Sequence, residues 1–183
     1  MRVEKTPLKD CYIVHNTVHK DDRGYFFESF NKQKFLEQTG LDIDFVQDNQ
    51  SKSQFGVLRG LHFQKGKYAQ AKLVRVLEGK VLDVAVDLRK NSPTFGKSFT
   101  LELSDSSDTQ LFVPRGFAHG FLVLSETATF FYKCDNLYNK ESESGLAYND
   151  PDLNIDWKID SSSIILSDKD KINPSLKQIE ASL

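Results

Sequence analysis

Two strand-like runs, Lys72–Leu77 and Lys80–Leu88, meet at Glu78-Gly79, and this stretch restricts the fold more than any other. The dipeptide suits a tight hairpin. In that register Lys72, Val74 and Val76 share a face with Val81, Asp83 and Ala85. The opposite face carries Leu73, Leu77, Leu82, Val84, Val86 and Leu88, with Arg75 among them. Both faces are largely apolar, so the sheet must be covered on both sides. The expected covers are a facing sheet on one side and a partner subunit on the other. An all-β sandwich or barrel follows, with a jelly roll as the expected topology and one or two short peripheral helices. Lys72 and Asp83 interrupt the apolar pattern, and such residues are almost never buried unpaired. Three explanations stand at this point: a structural ion pair, a strand edge open to water, or a polar pocket inside the barrel.

The chain has 183 residues, of which 39% are hydrophobic, enough for one sizeable core in a single domain spanning 1–183. Turn residues recur at short intervals, and helix signals are few. Asn31 and Gly40 bracket one candidate helix as cap and stop, and a second short one is expected near Ser175 to Ser182. With 24 Lys+Arg against 26 Asp+Glu the chain offers no electrostatic footprint for nucleic acid. No run approaches the roughly 20 apolar residues of a membrane helix. Met1 to Lys5 does not open a signal peptide, and Cys11 and Cys134 have neither metal-site nor disulfide-framework spacing. A cytoplasmic protein is expected.

Chemistry-bearing residues fall in five segments. Val57-Leu58-Arg59-Gly60-Leu61-His62-Phe63-Gln64 places Arg59 and His62 in one apolar strand. Strict alternation sends them to opposite faces, but Gly60 between them is a bulge signal, and a bulge would bring both into one cavity. A hydrogen-bonded core histidine is the alternative. Pro114-Arg115-Gly116-Phe117-Ala118-His119 resembles the second half of the cupin metal motif, yet Val123 stands where that motif has Asn. Its first half needs His-x-His, and the chain offers His62-Phe63-Gln64. Two imidazoles make a poor transition-metal site, so no metal is expected. Tyr132 lies in the apolar strand Thr129–Asp135, where a core tyrosine with a satisfied hydroxyl is the plain explanation. Leu166-Ser167-Asp168-Lys169-Asp170 reads as a solvated turn. Asp21-Asp22-Arg23-Gly24 reads as a turn into a strand, with Arg23 and Glu28 available to a ligand.

Taken together, these blocks resemble the dTDP-4-dehydrorhamnose 3,5-epimerase family, which is cupin-like. The match runs in order through Asp22-Arg23-Gly24 with Phe26 and Glu28, then Phe45 to Asn49, Leu58 to Gln64, and Asp83 to Arg89 leading into Ser92 to Gly96. It continues through Pro114 to Phe121, Asn149-Asp150-Pro151, and Leu166 to Asp170. Departures are Tyr148 and Phe99, where Trp is common, and Trp157-Lys158, where Trp-Pro is common.

The resemblance implies cofactor-independent inversion at C3 and C5 of a dTDP-4-keto-6-deoxyhexose through an enolate. No hydride moves in such a reaction, in keeping with a chain that has no Gly-rich dinucleotide loop. By resemblance His62 is the base and Asp170 its carboxylate partner. Tyr132 is the acid on the opposite face of the ring, Lys72 stabilises the enolate oxygen, and Asp83 holds Lys72. Arg23 and Arg59 take the diphosphate, Glu28, Gln47 and Asn49 read the thymidine, and Phe26 and Tyr138 flank the base. His119 contacts sugar or phosphate, while Glu143 and Lys169 lie in further binding segments. A homodimer with an exchanged N-terminal region is also implied. Competing expectations are a single-carbon epimerase or ketoisomerase on the same scaffold, a noncatalytic sugar-nucleotide-binding module and, more distantly, a metal-dependent cupin.

Overall fold

Glu78 and Gly79 do not close a hairpin. In the computed structural model, which describes residues 1–181, they carry the chain from one sheet into the facing one. The strands are β1 (Arg2–Lys5), β2 (Tyr12–His15), β3 (His19–Asp21), β4 (Gly24–Phe26), β5 (Gln47–Gln54), β6 (Leu58–Gln64), β7 (Lys72–Glu78), β8 (Lys80–Asp87), β9 (Ser98–Ser104), β10 (Thr109–Val113), β11 (Phe117–Val123), β12 (Thr127–Cys134) and β13 (Glu143–Gly145). One sheet has the order β1-β2-β10-β7-β12-β5 and the other β13-β6-β11-β8-β9, while β3 and β4 form a separate two-stranded ribbon. Every strand pair is antiparallel. The result is a cupin-like jelly roll, as the sequence led us to expect.

The corner replaces the hairpin because side chains from elsewhere capture its backbone. The Gly79 amide donates to the Asp105 carboxylate (2.8 Å) and the Lys80 amide to Ser125 Oγ (2.7 Å). Gly79 has φ +81°, and a Cβ there would lie 2.1 Å from the Thr127 carbonyl oxygen, so the corner needs glycine. The grouping of Val74 and Val76 with Val81 and Ala85 survives, but across the barrel interior and not along one sheet face.

Much of the outer faces, for which a partner subunit was the expected cover, is packed under other segments of the chain, although Leu77 stays 37% exposed. Leu82, Val84, Val86 and Leu88 pack under Leu146, Leu153, Trp157, Leu176 and Ile179 of the C-terminal segment. Leu73, Tyr12, Val14 and Phe112 pack under Phe35 of helix α1 (Lys32–Thr39). Each such aliphatic or aromatic side chain contributes about 1.5–3 kcal/mol when fully buried.

Helix α1 has the predicted ends. The Asn31 side chain accepts from the Lys34 amide (3.0 Å), and Gly40 adopts φ +73° and donates to the Leu36 carbonyl (2.8 Å). Two shorter helices follow, α2 (Asp168–Lys171) and α3 (Leu176–Glu180). Ser175 and Gln178 form a capping box for α3, the second helix expected, although Ser182 at its expected end lies outside the described residues. The third helix, α2, replaces the expected solvated turn. None of these helices is long and apolar enough to cross a membrane.

Candidate active site

A cavity of about 560 Å³ opens between the two sheets, and the Gly60 bulge shapes one of its walls. Along the pairing of β6 with β11, His119 faces His62 and Phe121 faces Arg59, so three steps on β6 match two on β11. Gly60 has φ +140°, and a Cβ on it would stand 2.6 Å from the Gly120 Cα. Only glycine allows that approach. The extra residue turns Arg59 and His62 into the same cavity, which alternation alone forbids.

Asp170 reaches this wall from α2, 108 residues further along the chain. Its Oδ1 lies 2.6 Å from His62 Nε2, and its Oδ2 accepts from the Gly60 amide at 3.4 Å. Burial pushes the Asp170 carboxyl up, but the hydrogen bond and charge of His62, with the Gly60 amide and Ser167, outweigh it and hold it below the usual range. With Nε2 donating to Asp170, Nδ1 is left as the basic nitrogen of the imidazole. The α2 turn is docked through Ile165, whose amide donates to Gly56 (2.8 Å) and whose carbonyl accepts from Leu58 (3.0 Å).

The facing sheet supplies Tyr132, Lys72 and Asn49. Tyr132 pairs with Asn49 on one side and Val74 on the other, while Lys72 lies opposite Cys134. Burial pushes the Tyr132 phenol up to about 12. Desolvation pulls the half-buried Lys72 ammonium below its ordinary value, against opposing pulls from Cys134, Asp83 and Glu143. Its Nζ lies 5.7 Å from the Tyr132 ring centroid.

Asp83 does not hold Lys72. Both of its carboxylate oxygens lie 3.0 Å from His119 Nε2, and both residues are buried. The reason is topological: His119 and Asp83 sit diagonally on neighbouring strands of one sheet, whereas Lys72 belongs to the other. His119 still lines the cavity, with its ring stacked near Phe130.

Around this centre runs a polar chain. Gln47 donates to Asn49 (3.1 Å) and accepts from the Tyr138 amide (3.0 Å). The Tyr138 hydroxyl donates to Glu143 (2.9 Å), and Glu143 pairs with Lys169. Burial raises the Glu143 carboxyl, but Lys169 and Tyr138 together bring it below its ordinary value. Asn49, Arg59, His62, Lys72, His119, Tyr132, Lys169 and Asp170 therefore line one cavity, with Gln47, Tyr138 and Glu143 tied to it.

Arg23, Phe26 and Glu28 are not brought there. Arg23 pairs with Asp21, Phe26 is 68% exposed, and Glu28 bonds Lys34 and Asn31. Sequence reasoning missed Ser53, whose Oγ accepts from Arg59 Nε (3.0 Å), and Ser167, which caps α2. Ser53 left no signal, whereas Ser167-x-x-Asp170 has the spacing of a helix cap. Among the described residues no three His, Cys, Asp or Glu side chains are grouped to hold a metal ion.

Comparison with known proteins gives concordant results. A family profile for dTDP-4-dehydrorhamnose 3,5-epimerase matches residues 5–178. The enzyme of that name from Escherichia coli K12 is 52% identical over 171 residues, 93% of this chain and 92% of its own. The crystal structure of the Elizabethkingia anophelis enzyme superposes with a TM-score of 0.95 at 64% identity, covering 97% of both chains. A Legionella pneumophila structure, in complex with dTDP-4-keto-L-rhamnose, gives 0.94 at 45% identity over 99% of this chain and 95% of that one.

Proposed function

The chain belongs to the dTDP-4-dehydrorhamnose 3,5-epimerase family, and from that premise we propose how its residues divide the chemistry. The substrate is dTDP-4-dehydro-6-deoxy-D-glucose, whose C3 and C5 hydrogens both lie α to the C4 ketone. Each can leave as a proton if the resulting enolate is stabilised. His62 is the base, and Asp170 fixes its tautomer and stabilises the imidazolium that forms. Tyr132, still protonated at neutral pH with its pKa at about 12, returns a proton to the opposite face. Lys72 offers its ammonium to the enolate oxygen. A positioned acid or base contributes about 10²–10⁴-fold, and one oxyanion donor about 10²–10³-fold.

One observation carries this reading: His62 and Tyr132 enter a single cavity from opposite sheets. A sugar ring lying between the sheets presents one face to each, which is what inversion requires. Arg59 grips the diphosphate, its guanidinium held by Ser53. Gln47, Asn49, Tyr138, Glu143 and Lys169 shape the nucleotide end, and His119, anchored by Asp83, forms part of the sugar wall. Arg23, Phe26 and Glu28 join the site from the second subunit of a homodimer by exchange of the N-terminal region. Only protons move, so the reaction needs no cofactor. A sugar diphosphate does not cross a bilayer unaided, which suits a cytoplasmic setting.

The test is incubation with the 4-keto substrate in deuterated water. Deuterons at both C3 and C5 of an inverted product are expected, and His62→Ala should abolish exchange while dTDP affinity stays within about threefold. A deuteron at one carbon only makes the chain a single-carbon epimerase. Binding without any exchange makes it a noncatalytic module.

A further inference from the structure

Asp170 is the third residue of a four-residue helix, and a single turn has no stability of its own in water. What holds the turn therefore sets where the carboxylate stands. Ile165 fixes the chain entering it, and Lys169 ties its outer side to Glu143. Neither contact bears on the backbone of Asp170. Ser167 does: from an extended conformation (φ −67°, ψ 155°) its Oγ accepts from the Asp170 amide at 3.2 Å, and its carbonyl accepts from the same amide at 3.0 Å and from Lys171 at 3.3 Å. Ser167 also lines the cavity that holds His62, Arg59 and Tyr132.

The side chain has no packing duty to explain it. Ser167 is exposed, whereas Asp170 is buried. Removing its hydroxyl leaves no hole in the core, but it leaves the Ser167 carbonyl as the one acceptor that this residue offers the Asp170 amide, so the turn is held less firmly against water. We infer that Ser167 is a positioning residue for the epimerisation: its hydroxyl fixes the rotation of the α2 turn, through that the Asp170 carboxylate, and through that the orientation and tautomer of His62. This rests on the reading of His62 as the base. The hydroxyl bonds the Asp170 amide, and the effect inferred for it passes through Asp170.

The test compares Ser167→Ala, Ser167→Thr and the same Ala change in an Asp170→Ala background, all in the full chain. Ser167→Ala should lower kcat about tenfold, with KM and dTDP affinity within about twofold of wild type. Threonine caps helices as well, so Ser167→Thr should restore kcat to within about twofold. Once Asp170 is alanine, removing the Ser167 hydroxyl should change kcat by less than about twofold, because the carboxylate it positions is gone. Wild-type kcat in Ser167→Ala overturns the inference. So does a threonine variant as slow as the alanine one, or an undiminished further loss in the Asp170→Ala background. The two readings fail separately: exchange surviving in His62→Ala sinks the epimerase mechanism, whereas a dead His62→Ala beside a normal Ser167→Ala sinks the positioning role alone.

Discussion

Tyr132 and His62 reach the cavity from opposite sheets, so loss of the phenol should separate two events that the intact site couples. Tyr132→Phe keeps the ring and its packing near Phe130 and Lys72. Under the proposed division of roles, His62 would still form the enolate, and its imidazolium would return a deuteron to the original face. Proton NMR of recovered sugar nucleotide in deuterated buffer should show exchange falling less than about tenfold while inversion falls about 10²–10⁴-fold, most of all at C5. An equal fall in both would mean that a water or another residue protonates the second face. At this scale much was legible: His62, Asp170, Lys72, Tyr132 and Arg59 are separated in sequence but meet in one cavity. Asp83 was not, because alternation says which face a side chain takes and not which neighbour it meets. Its partner, His119, comes from the adjacent strand of its own sheet.

At the level of strands and turns, two glycines had opposite fates. Gly60 signalled a bulge and makes one, whereas Gly79 signalled a hairpin and makes a corner between sheets. The dipeptide could not reveal this, since the groups that capture its amides, Asp105 and Ser125, lie far away in sequence. The caps of α1 and α3 were legible because their hydrogen bonds are local. The Gly60 bulge supports a firm prediction. In Gly60→Ala the new Cβ would meet the Gly120 Cα at 2.6 Å, backbone against backbone, at a φ of +140° that disfavours any side chain. Denaturant unfolding should show a loss of about 2–4 kcal/mol, and kcat should fall at least about 10²-fold as Arg59 and His62 lose their shared wall. At Gly40, where φ is +73° but no atom lies within 4 Å, alanine should cost only about 1 kcal/mol. If Gly60→Ala costs no more than Gly40→Ala, the close approach of β6 and β11 is not what shapes the site.

For the whole molecule, the jelly roll was legible because successive strands apolar on both faces must be layered, even though β7 and β8 prove to lie in different sheets. The identity of its covers was not, since the residues that supply them are scattered from Leu146 to Ile179 and carry no strong period. The exchanged-dimer reading makes its own prediction. Subunits carrying His62→Ala and subunits carrying Arg23→Ala with Phe26→Ala should each be nearly inactive alone. Co-expressed, they should form hybrids in which one of two sites is built entirely from unaltered residues, recovering about a quarter of wild-type turnover. Turnover equal to the average of the two parents would assign Arg23 and Phe26 to their own subunit's site or to none. The His62–Asp170 bond, spanning 108 residues, has a bearing on synthesis as well as catalysis. Loops of that length close slowly, and the segment bringing Asp170 also roofs the second sheet. A nascent chain can build most of its barrel before His62 acquires its carboxylate partner. If His62 is the base, full turnover awaits the docking of the segment from Leu146 to Ile179.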